Sequence, residues 1–263
     1  MTAIATTKDQ ILPVTLQNFK KIAFKVGTIK GAEIFNQARG KSYKVTVELG
    51  KGYGSRQSAA QLGWNYSTIK DLFNRKVLTV MNLEPRRIAG YKSEVLIVGF
   101  PDKEKHVHLL NTRGASIEDG TYLTLGCTGT SKKINYNVFE SAHVLAATVK
   151  SVKAIIEETK EIGKTKKEEE KEEKEEKENT NIRMAFTAEL DLGKEIGTRY
   201  ATLLNLKQST AKSLINTQVA AVVNIQQECV TDPTTFVFAA TTSGGEDIPF
   251  GVDSPVENGV KLF

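Results

Sequence analysis

The stretch STIKDLFNRKVLTVMNL, residues 67–83, joins a short helix to a strand. Ser67 and Thr68 are suited to cap the helix TIKDLF, and Asp71 stands third after Thr68, as in a capping box. The β-branched run from Val77 to Leu83 predicts the strand that follows. This stretch therefore predicts a short helix followed by a strand.

Strand patterns surround this helix on both sides. The segments KVGTIKGAEI (residues 25–34) and YKVTVEL (residues 43–49) are β-branched and partly alternating, and Val95–Phe100 is a further apolar run. The glycines of GKGYG (residues 50–54) predict a turn between strands rather than a nucleotide loop, since no helix follows at the required spacing. About five strands with a helix before the fourth predict a small Greek-key barrel of the OB type.

The chain contains this unit twice. STIKDLFNRKVLTVMNL matches STAKSLINTQVAAVVNI (residues 209–225), and VELGKGYGSRQSA (residues 47–59) matches LDLGKEIGTRYAT (residues 190–202). Phe19 and Thr28 have counterparts in Phe139 and Thr148. Several blocks in the same order predict an internal repeat. The fold class that we predict is therefore all-β with short helices: two OB-fold Greek-key barrels in tandem that pack as a pseudo-dimer within a monomeric chain.

The repeat gives the domain boundaries. We predict an N-terminal arm over residues 1–17, copy one over 18–130 and copy two over 131–263. Copy two has an insert over about 157–181, and residues 157–178 of it hold 11 Glu and 7 Lys. With no apolar face to dock, the insert is expected to be a solvated helix or coil; an acidic mimic of phosphate is the alternative.

Charge is distributed unevenly. Residues 1–130 hold 19 Lys and Arg against 10 Asp and Glu, whereas residues 131–263 hold 17 against 21. A basic excess attracts phosphate backbones, although an ordinary basic surface would show the same balance. We expect no membrane segment and no secretory signal, two free thiols at Cys127 and Cys229, and a cytoplasmic location.

Catalysis and metal binding are not predicted. No Ser-His-Asp, Cys-His or paired-carboxylate arrangement can be placed, so we expect a protein that is not an enzyme and has no cofactor. His106 and His108 lie two residues apart, with only the remote His143 besides, and an exposed strand edge explains them better than a zinc site.

A charged motif separates the two copies. NLEPRRIAGYKSEVLIVGF (residues 82–100) places Pro85-Arg86-Arg87 between two strands and Ser93-Glu94 before the second. Arginine forks pair with phosphate oxygens, and a proline lowers the cost of ordering the loop that presents them. Copy two has Gln227-Glu228-Cys229 and Thr234-Thr235 instead, so we expect its site to be degenerate.

With these motifs, residues 15–125 closely resemble the tRNA-binding OB-fold domain, most of all its CsaA-like branch; copy two resembles it more loosely. Relatives are appended to methionyl- and tyrosyl-tRNA synthetases. The resemblance implies binding of tRNA or other structured RNA by shape. For the CsaA branch it also implies a homodimer with chaperone-like binding of unfolded or exported polypeptides. A scaffold or cofactor of an aminoacyl-tRNA synthetase is a third interpretation.

The resemblance also indicates the site. For Asn82, Ser93 and Glu94, direct contact with RNA and a role in tying the loop together both remain open, as do packing and base stacking for Trp64 and Tyr66. The RNA-binding residues that we predict are Arg56, Gln57, Asn82, Pro85, Arg86, Arg87, Lys92, Ser93 and Glu94.

Overall fold

The computed structural model describes residues 11–125, 132–155, 184–227 and 234–263. The predictions for the Glu/Lys insert, for Cys127 and Cys229, and for Glu228 fall outside the described residues. We refer to residues 11–125 as the first half and to residues 132–263 as the second half.

The first half is built from short strands with two single-turn helical elements. Its strands are β1 (Val14–Thr15), β2 (Phe24–Ile34), β3 (Tyr43–Glu48), β4 (Ser55–Ala60), β5 (Lys76–Val80), β6 (Arg86–Ile88), β7 (Tyr91–Ser93), β8 (Leu96–Ile97), β9 (Gly99–Pro101) and β10 (Val107–Asn111). Its helical elements are α1 (Leu16–Phe19) and a 3₁₀ helix (Ile69–Asp71).

The second half follows the same plan. Its helices are α2 (Tyr136–Ser141) and α3 (Gln208–Ser213). Its strands are β11 (Val144–Ile155), β12 (Met184–Asp191), β13 (Thr198–Leu206), β14 (Gln218–Gln226), β15 (Thr234–Val237), β16 (Ala239–Thr241), β17 (Asp247–Pro249) and β18 (Gly251–Val252). The prediction of an all-β chain with short helices and barrel-like sheets is confirmed.

The strand order of the two halves corresponds element by element. The first half has the order β4-β3-β2-β5-β8, and the second half has β13-β12-β11-β14 with β15 on β14. The long strands β2 and β11 both change register in the middle, between Ile29 and Gly31 and between Val149 and Ser151. The GKGYG turn has a counterpart in GKEIG (residues 193–197), with Gly50 at φ 79° and Gly193 at φ 83°, a backbone conformation that favours glycine.

Apolar side chains form three clusters. One fills the first-half barrel and includes Val45, Leu49 and Leu72, and a second fills the second-half barrel. The third combines both halves, with Phe24 lying 6.2 Å from Phe139 and 5.0 Å from Phe238 between ring centroids. Burial of such large rings contributes strongly to stability, so the two halves form one folded body.

The halves also exchange backbone segments. Strand β1 of the first half pairs in parallel with β14 of the second half, through Val14 and Ile225. In the other direction, Ile134 forms a parallel bridge with Leu83. Strand β18 continues the sheet onto β10, where Asn111 faces Gly251.

Two predicted elements differ in detail. The helix TIKDLF is a 3₁₀ helix of three residues, although Asp71 does accept a hydrogen bond from Thr68 N at 2.9 Å, as a capping box requires. The predicted strand Val95–Phe100 divides into β8 and β9, because the chain leaves β5 there and pairs with β10.

Within the described residues, no helix combines the length and the apolar character needed to cross a membrane.

Candidate nucleic-acid interface

The sequence predicts a loop at the Pro-Arg-Arg segment, and the structure corrects this. Arg86–Ile88 is a strand that pairs with Tyr91–Ser93 in a two-stranded hairpin, which we call the basic hairpin (residues 86–93). Its turn has positive φ at Ala89 (44°) and Gly90 (82°), the geometry of the tight turns that suit hairpins. Pro85 precedes the hairpin and is exposed.

The outer face of the basic hairpin concentrates positive charge. Arg87 is paired directly with Lys92 across the two strands, and both side chains are exposed. Like charges in this position repel each other, and a bound anion would relieve the repulsion. Lys92 Nζ lies 2.9 Å from Glu94 Oε1, which compensates part of the charge.

Ser93 and Glu94 attach the hairpin to the edge strand β4. Ser93 Oγ accepts a hydrogen bond from Ala59 N at 3.1 Å, and Glu94 Oε2 accepts one from Gln57 N at 3.3 Å. Glu94 N donates to Gln57 O at 2.7 Å. These bonds satisfy an exposed sheet edge and fix the hairpin beside it. Of the two roles left open for Ser93 and Glu94, the geometry shows the one that ties the loop together.

The Glu94 carboxylate is stabilised in its charged form. The hydrogen bond from Lys92 is the largest influence and holds the pKa of Glu94 below its usual value, with the Gln57 amide and the charge of Arg56 acting in the same direction against desolvation. Glu94 therefore links the two elements: its carboxylate forms an ion pair with Lys92 of the hairpin and accepts a hydrogen bond from the Gln57 amide of strand β4.

Strand β4 carries the other two predicted residues. Gln57 is exposed, and Arg56 is half-buried, with Nη1 donating to Ser55 O at 3.0 Å. The structure thus places Arg56 and Gln57 on the strand to which the basic hairpin is attached.

Asn82 lies apart from this surface. It is only 5% exposed, and its Oδ1 accepts from Ala23 N at 2.9 Å while its Nδ2 donates to Lys21 O and Lys132 O. We therefore assign Asn82 to the fold. Asn224 repeats the arrangement, with Oδ1 accepting from His143 N and Nδ2 donating to Ser141 O and Leu12 O.

Two further cations of the first half are turned inward. Lys25 is 1% exposed and lies between the rings of Tyr53 and Tyr122, with Nζ at 3.7 and 3.3 Å from their centroids. Burial lowers the pKa of Lys25 and likewise that of Arg113, whose guanidinium donates to Pro249 O and Gln218 O. Both side chains are engaged inside the protein by these contacts, and they do not contribute to the surface.

The aromatic residues before the 3₁₀ helix are engaged within the protein. Trp64 stacks on His106 with ring centroids 4.9 Å apart, and Lys41 Nζ lies 4.3 Å from the Trp64 centroid. Tyr66 is buried and donates its hydroxyl to Asp253 Oδ2 at 2.5 Å. Burial, and then the Asp253 carboxylate, raise the pKa of Tyr66. Tyr66 therefore matches the packing alternative, whereas Trp64 is stacked on His106 and remains 49% exposed.

The two histidines share one carboxylate. Asp102 Oδ1 accepts from His106 N at 2.8 Å, and Asp102 Oδ2 lies 3.2 Å from His108 Nε2. Ligand atoms of Asp102, Glu104 and His106 lie within 4.8 Å of one another. Since Asp102 already closes this turn by hydrogen bonds, we assign no metal to it.

The sequence sets Thr234-Thr235 against Ser93-Glu94, and the strand register corrects this. Leu96 pairs with Val80 and Phe236 pairs with Val222, so Thr234 lies at the position of Glu94 and Thr235 at that of Val95. Thr234 pairs with Ile225 in the sheet, and the hydroxyl of Thr235 is buried with no hydrogen-bond partner within the described part of the chain. No acidic or basic side chain is supplied at these two positions.

Two important residues are not predicted from the sequence. The Asp253 carboxylate accepts hydrogen bonds from three side chains of the first half, those of Tyr66, Arg75 and Asn111. The Tyr136 ring lies under the guanidinium of Arg86. Neither stands in a motif, and their partners are about 50 or more residues distant. Only the tertiary packing of the halves brings them to these contacts.

One part of the chain matches a known family. Residues 24–121 match the family model of a putative tRNA binding domain. This segment belongs to that family. We call it the matched domain. All nine predicted RNA-binding residues lie within it, and the family's description names a binding domain and no reaction.

Similar proteins contain or consist of such a segment. The chain is 27% identical over 119 residues to a methionine–tRNA ligase of Caldanaerobacter subterraneus and 35% identical over 91 residues to one of Thermococcus onnurineus. These alignments cover 45% and 35% of this chain but only 18% and 12% of the ligases. A solved CsaA chaperone protein from Picrophilus torridus is 35% identical, with 41% of this chain and 97% of that chain covered and a TM-score of 0.38.

Proposed function

We propose that the protein binds tRNA or another structured RNA through the basic face of the matched domain, without catalysing a reaction. The contacts are made by Arg56, Gln57, Arg86, Arg87 and Lys92, and Pro85, Ser93 and Glu94 hold the hairpin that presents them. As part of this proposal, the protein acts in the cytoplasm.

The attachment of the basic hairpin carries the proposal. Ser93 and Glu94 fix the exposed Arg87 and Lys92 side by side, and the ion pair of Lys92 with Glu94 offsets only part of their charge, so a bound phosphate would relieve the remaining repulsion. A-form RNA is recognised chiefly through phosphates and 2′-hydroxyls, which suits a basic surface held rigidly in this way.

We further propose that the chain is a tandem repeat whose halves, residues 18–130 and 131–263, form a pseudo-dimer. The equivalent hydrogen bonds of Asn82 and Asn224 and the equivalent strand orders support this. The second half is degenerate as an RNA site, because the strand register places the uncharged Thr234 at the position of Glu94 and Thr235 at that of Val95. RNA binding is then one-sided.

The proposal is tested by fluorescence anisotropy with labelled bulk tRNA over a salt series. We expect binding at low salt and a linear fall of log affinity with log salt concentration, since phosphate contacts release counterions. Unlabelled tRNA should compete, and a protein-free buffer series provides the baseline. Absence of binding at the lowest salt concentration would refute the proposal.

A chaperone function is the second candidate, and a cavity favours it. A cavity of about 520 Å³ lies between β4, the basic hairpin and the C-terminal residue, and is lined mainly by apolar groups that include Ile88, Leu96 and Phe263. Such a cavity suits an apolar side chain of an unfolded polypeptide. Suppressed aggregation of a denatured client, abolished by Ile88→Asp but kept on Arg86→Ala, would support this function instead.

A role as a scaffold for an aminoacyl-tRNA synthetase is the third candidate. The similarity to a small part of methionine–tRNA ligases favours it, because a segment related to part of these enzymes could serve the same kind of enzyme. Co-purification of a synthetase with the tagged protein after nuclease treatment would support it.

A further inference from the structure

One arginine of the basic hairpin is in contact with the other half of the molecule. The guanidinium carbon of Arg86 lies 4.6 Å from the centroid of the Tyr136 ring. Tyr136 is the first residue of α2 and belongs to the second half. Within the described part of the chain, no hydrogen bond or ion pair engages the Arg86 guanidinium, so its N–H groups are available to a ligand.

The Tyr136 ring is itself held in place. It is partly buried against the shared apolar cluster, and its centroid lies 5.6 Å from that of Phe139. A guanidinium that stacks on a ring face keeps its N–H donors in its own plane, where they point away from the ring. Tyr136 therefore fixes the orientation of Arg86 while leaving its donors exposed for a phosphate.

Two lysines precede this tyrosine on the same segment. Lys132 and Lys133 are exposed, and Lys133 Nζ approaches Met81 O at 3.4 Å. The segment is held along the start of the basic hairpin, because Ile134 N donates to Asn82 O and Ile134 O accepts from Glu84 N. Two positive charges of the second half thus lie beside those of the first.

Within the described residues, the Tyr136 ring has no aromatic counterpart at the equivalent position of the first half. At the repeat offset of 120, Tyr136 corresponds to Leu16, an aliphatic residue that packs against the shared cluster and offers no ring face. The Tyr136 ring and Arg86, which it contacts, therefore occur together on the side that carries the basic hairpin.

We propose that the RNA-binding surface is composite, with residues 132–136 of the second half completing it. Tyr136 is a positioning residue that orients Arg86 toward a phosphate, and Lys132 and Lys133 extend the surface that follows the RNA backbone. This inference rests on the proposed function, and it gives the second half a part in binding even though its own site is degenerate.

A double-mutant cycle with labelled bulk tRNA at fixed salt tests the role of Tyr136. We expect Tyr136→Leu to weaken binding about two- to fivefold, the range that corresponds to an exposed cation–π contact. Tyr136→Phe keeps the ring and should retain the affinity. In the Arg86→Ala background, Tyr136→Leu should weaken binding no further, because the residue it positions is gone.

Three outcomes would overturn this role. The first is an affinity of Tyr136→Leu equal to that of the wild type, and the second is a Tyr136→Phe variant as weak as Tyr136→Leu. The third is an equally large effect of Tyr136→Leu in the Arg86→Ala background, which would show that the ring acts only through the packing of the halves. Thermal unfolding of each variant confirms that the compared proteins are folded.

The lysines are tested by the salt dependence. Lys132→Ala with Lys133→Ala should reduce the slope of log affinity against log salt by up to about two, whereas the charge-matched control Lys194→Ala with Lys212→Ala should leave it unchanged. An unchanged slope in the first variant would remove the lysines from the surface. If the wild type binds no tRNA, the proposed function itself fails. If the wild type binds tRNA and these variants bind it equally well, only the composite surface fails.

Discussion

The Tyr66 hydroxyl of the first half donates a hydrogen bond to the Asp253 carboxylate of the second half, over 2.5 Å. The same carboxylate forms an ion pair with Arg75 at 2.5 Å and accepts from Asn111 at 2.9 Å. Asp253 is thus the partner of three first-half side chains. An acceptor that is only 14% exposed and serves several donors stabilises strongly, because its removal leaves all of them unpaired.

We expect Asp253→Ala to lower the free energy of unfolding by at least about 1–3 kcal/mol, the cost of leaving buried partners unsatisfied. Urea denaturation followed by circular dichroism measures it. Glu195→Ala, which removes an exposed acid of the same half, is the control and should change stability little. Equal stability of both variants would show that this interaction does not hold the halves together.

The two equivalent asparagines give a second prediction about stability. Asn82→Ala and Asn224→Ala should each cost about 1–3 kcal/mol or more, since each leaves buried backbone groups without a partner. Thermal and urea unfolding provide the values. The tRNA affinity of folded Asn82→Ala should equal that of the wild type; a selective decrease in binding at unchanged stability would instead make Asn82 a contact residue.

The arginines should determine the salt dependence of RNA binding. Arg86→Ala with Arg87→Ala removes two exposed cations and should decrease the salt slope by about one for each phosphate that these side chains neutralise. Anisotropy titrations with tRNA at several salt concentrations measure this slope. Lys194→Ala with Lys212→Ala again serves as the control of equal charge, and a matching decrease in that control would indicate attraction to net charge alone.

Acid should weaken the attachment of the basic hairpin to β4. The folded-state pKa of Glu94 is below the reference value of 4.5, so its contribution to stability is fully present above that value and disappears as pH falls through the folded pKa. Hydrogen exchange of the Gln57 amide should therefore accelerate below about pH 4.5, after correction for intrinsic rates.

Glu94→Gln is the control for this pH dependence. It removes the titrating group, so exchange at Gln57 should no longer change across the acidic range. Persistence of the same acid-dependent acceleration in Glu94→Gln would assign it to another carboxylate.

Local patterns predict the long strands such as β2 and β3 and the GKGYG turn correctly, because alternation and positive-φ glycines express their own backbone preferences. The basic hairpin is not predicted, since three-residue strands are too short to show a period and the turn at Ala89-Gly90 has only one glycine. The roles of Ser93, Glu94 and Asn82 cannot be decided from sequence either. A polar side chain at the end of a strand faces solvent or backbone according to what packs over it, and here that is β4 for Glu94 and the segment at Lys132 for Asn82.

The exchanged segments have a consequence for synthesis on the ribosome. Strand β1, at the beginning of the chain, pairs with β14, and Leu83 pairs with Ile134. The first half therefore emerges with its N-terminal strand unpaired, and Val14 finds its partner only after Ile225 has left the exit tunnel. During that interval apolar residues of the shared cluster such as Phe19 and Phe24 lack their second-half partners, and transiently exposed apolar surface of this kind is prone to aggregation.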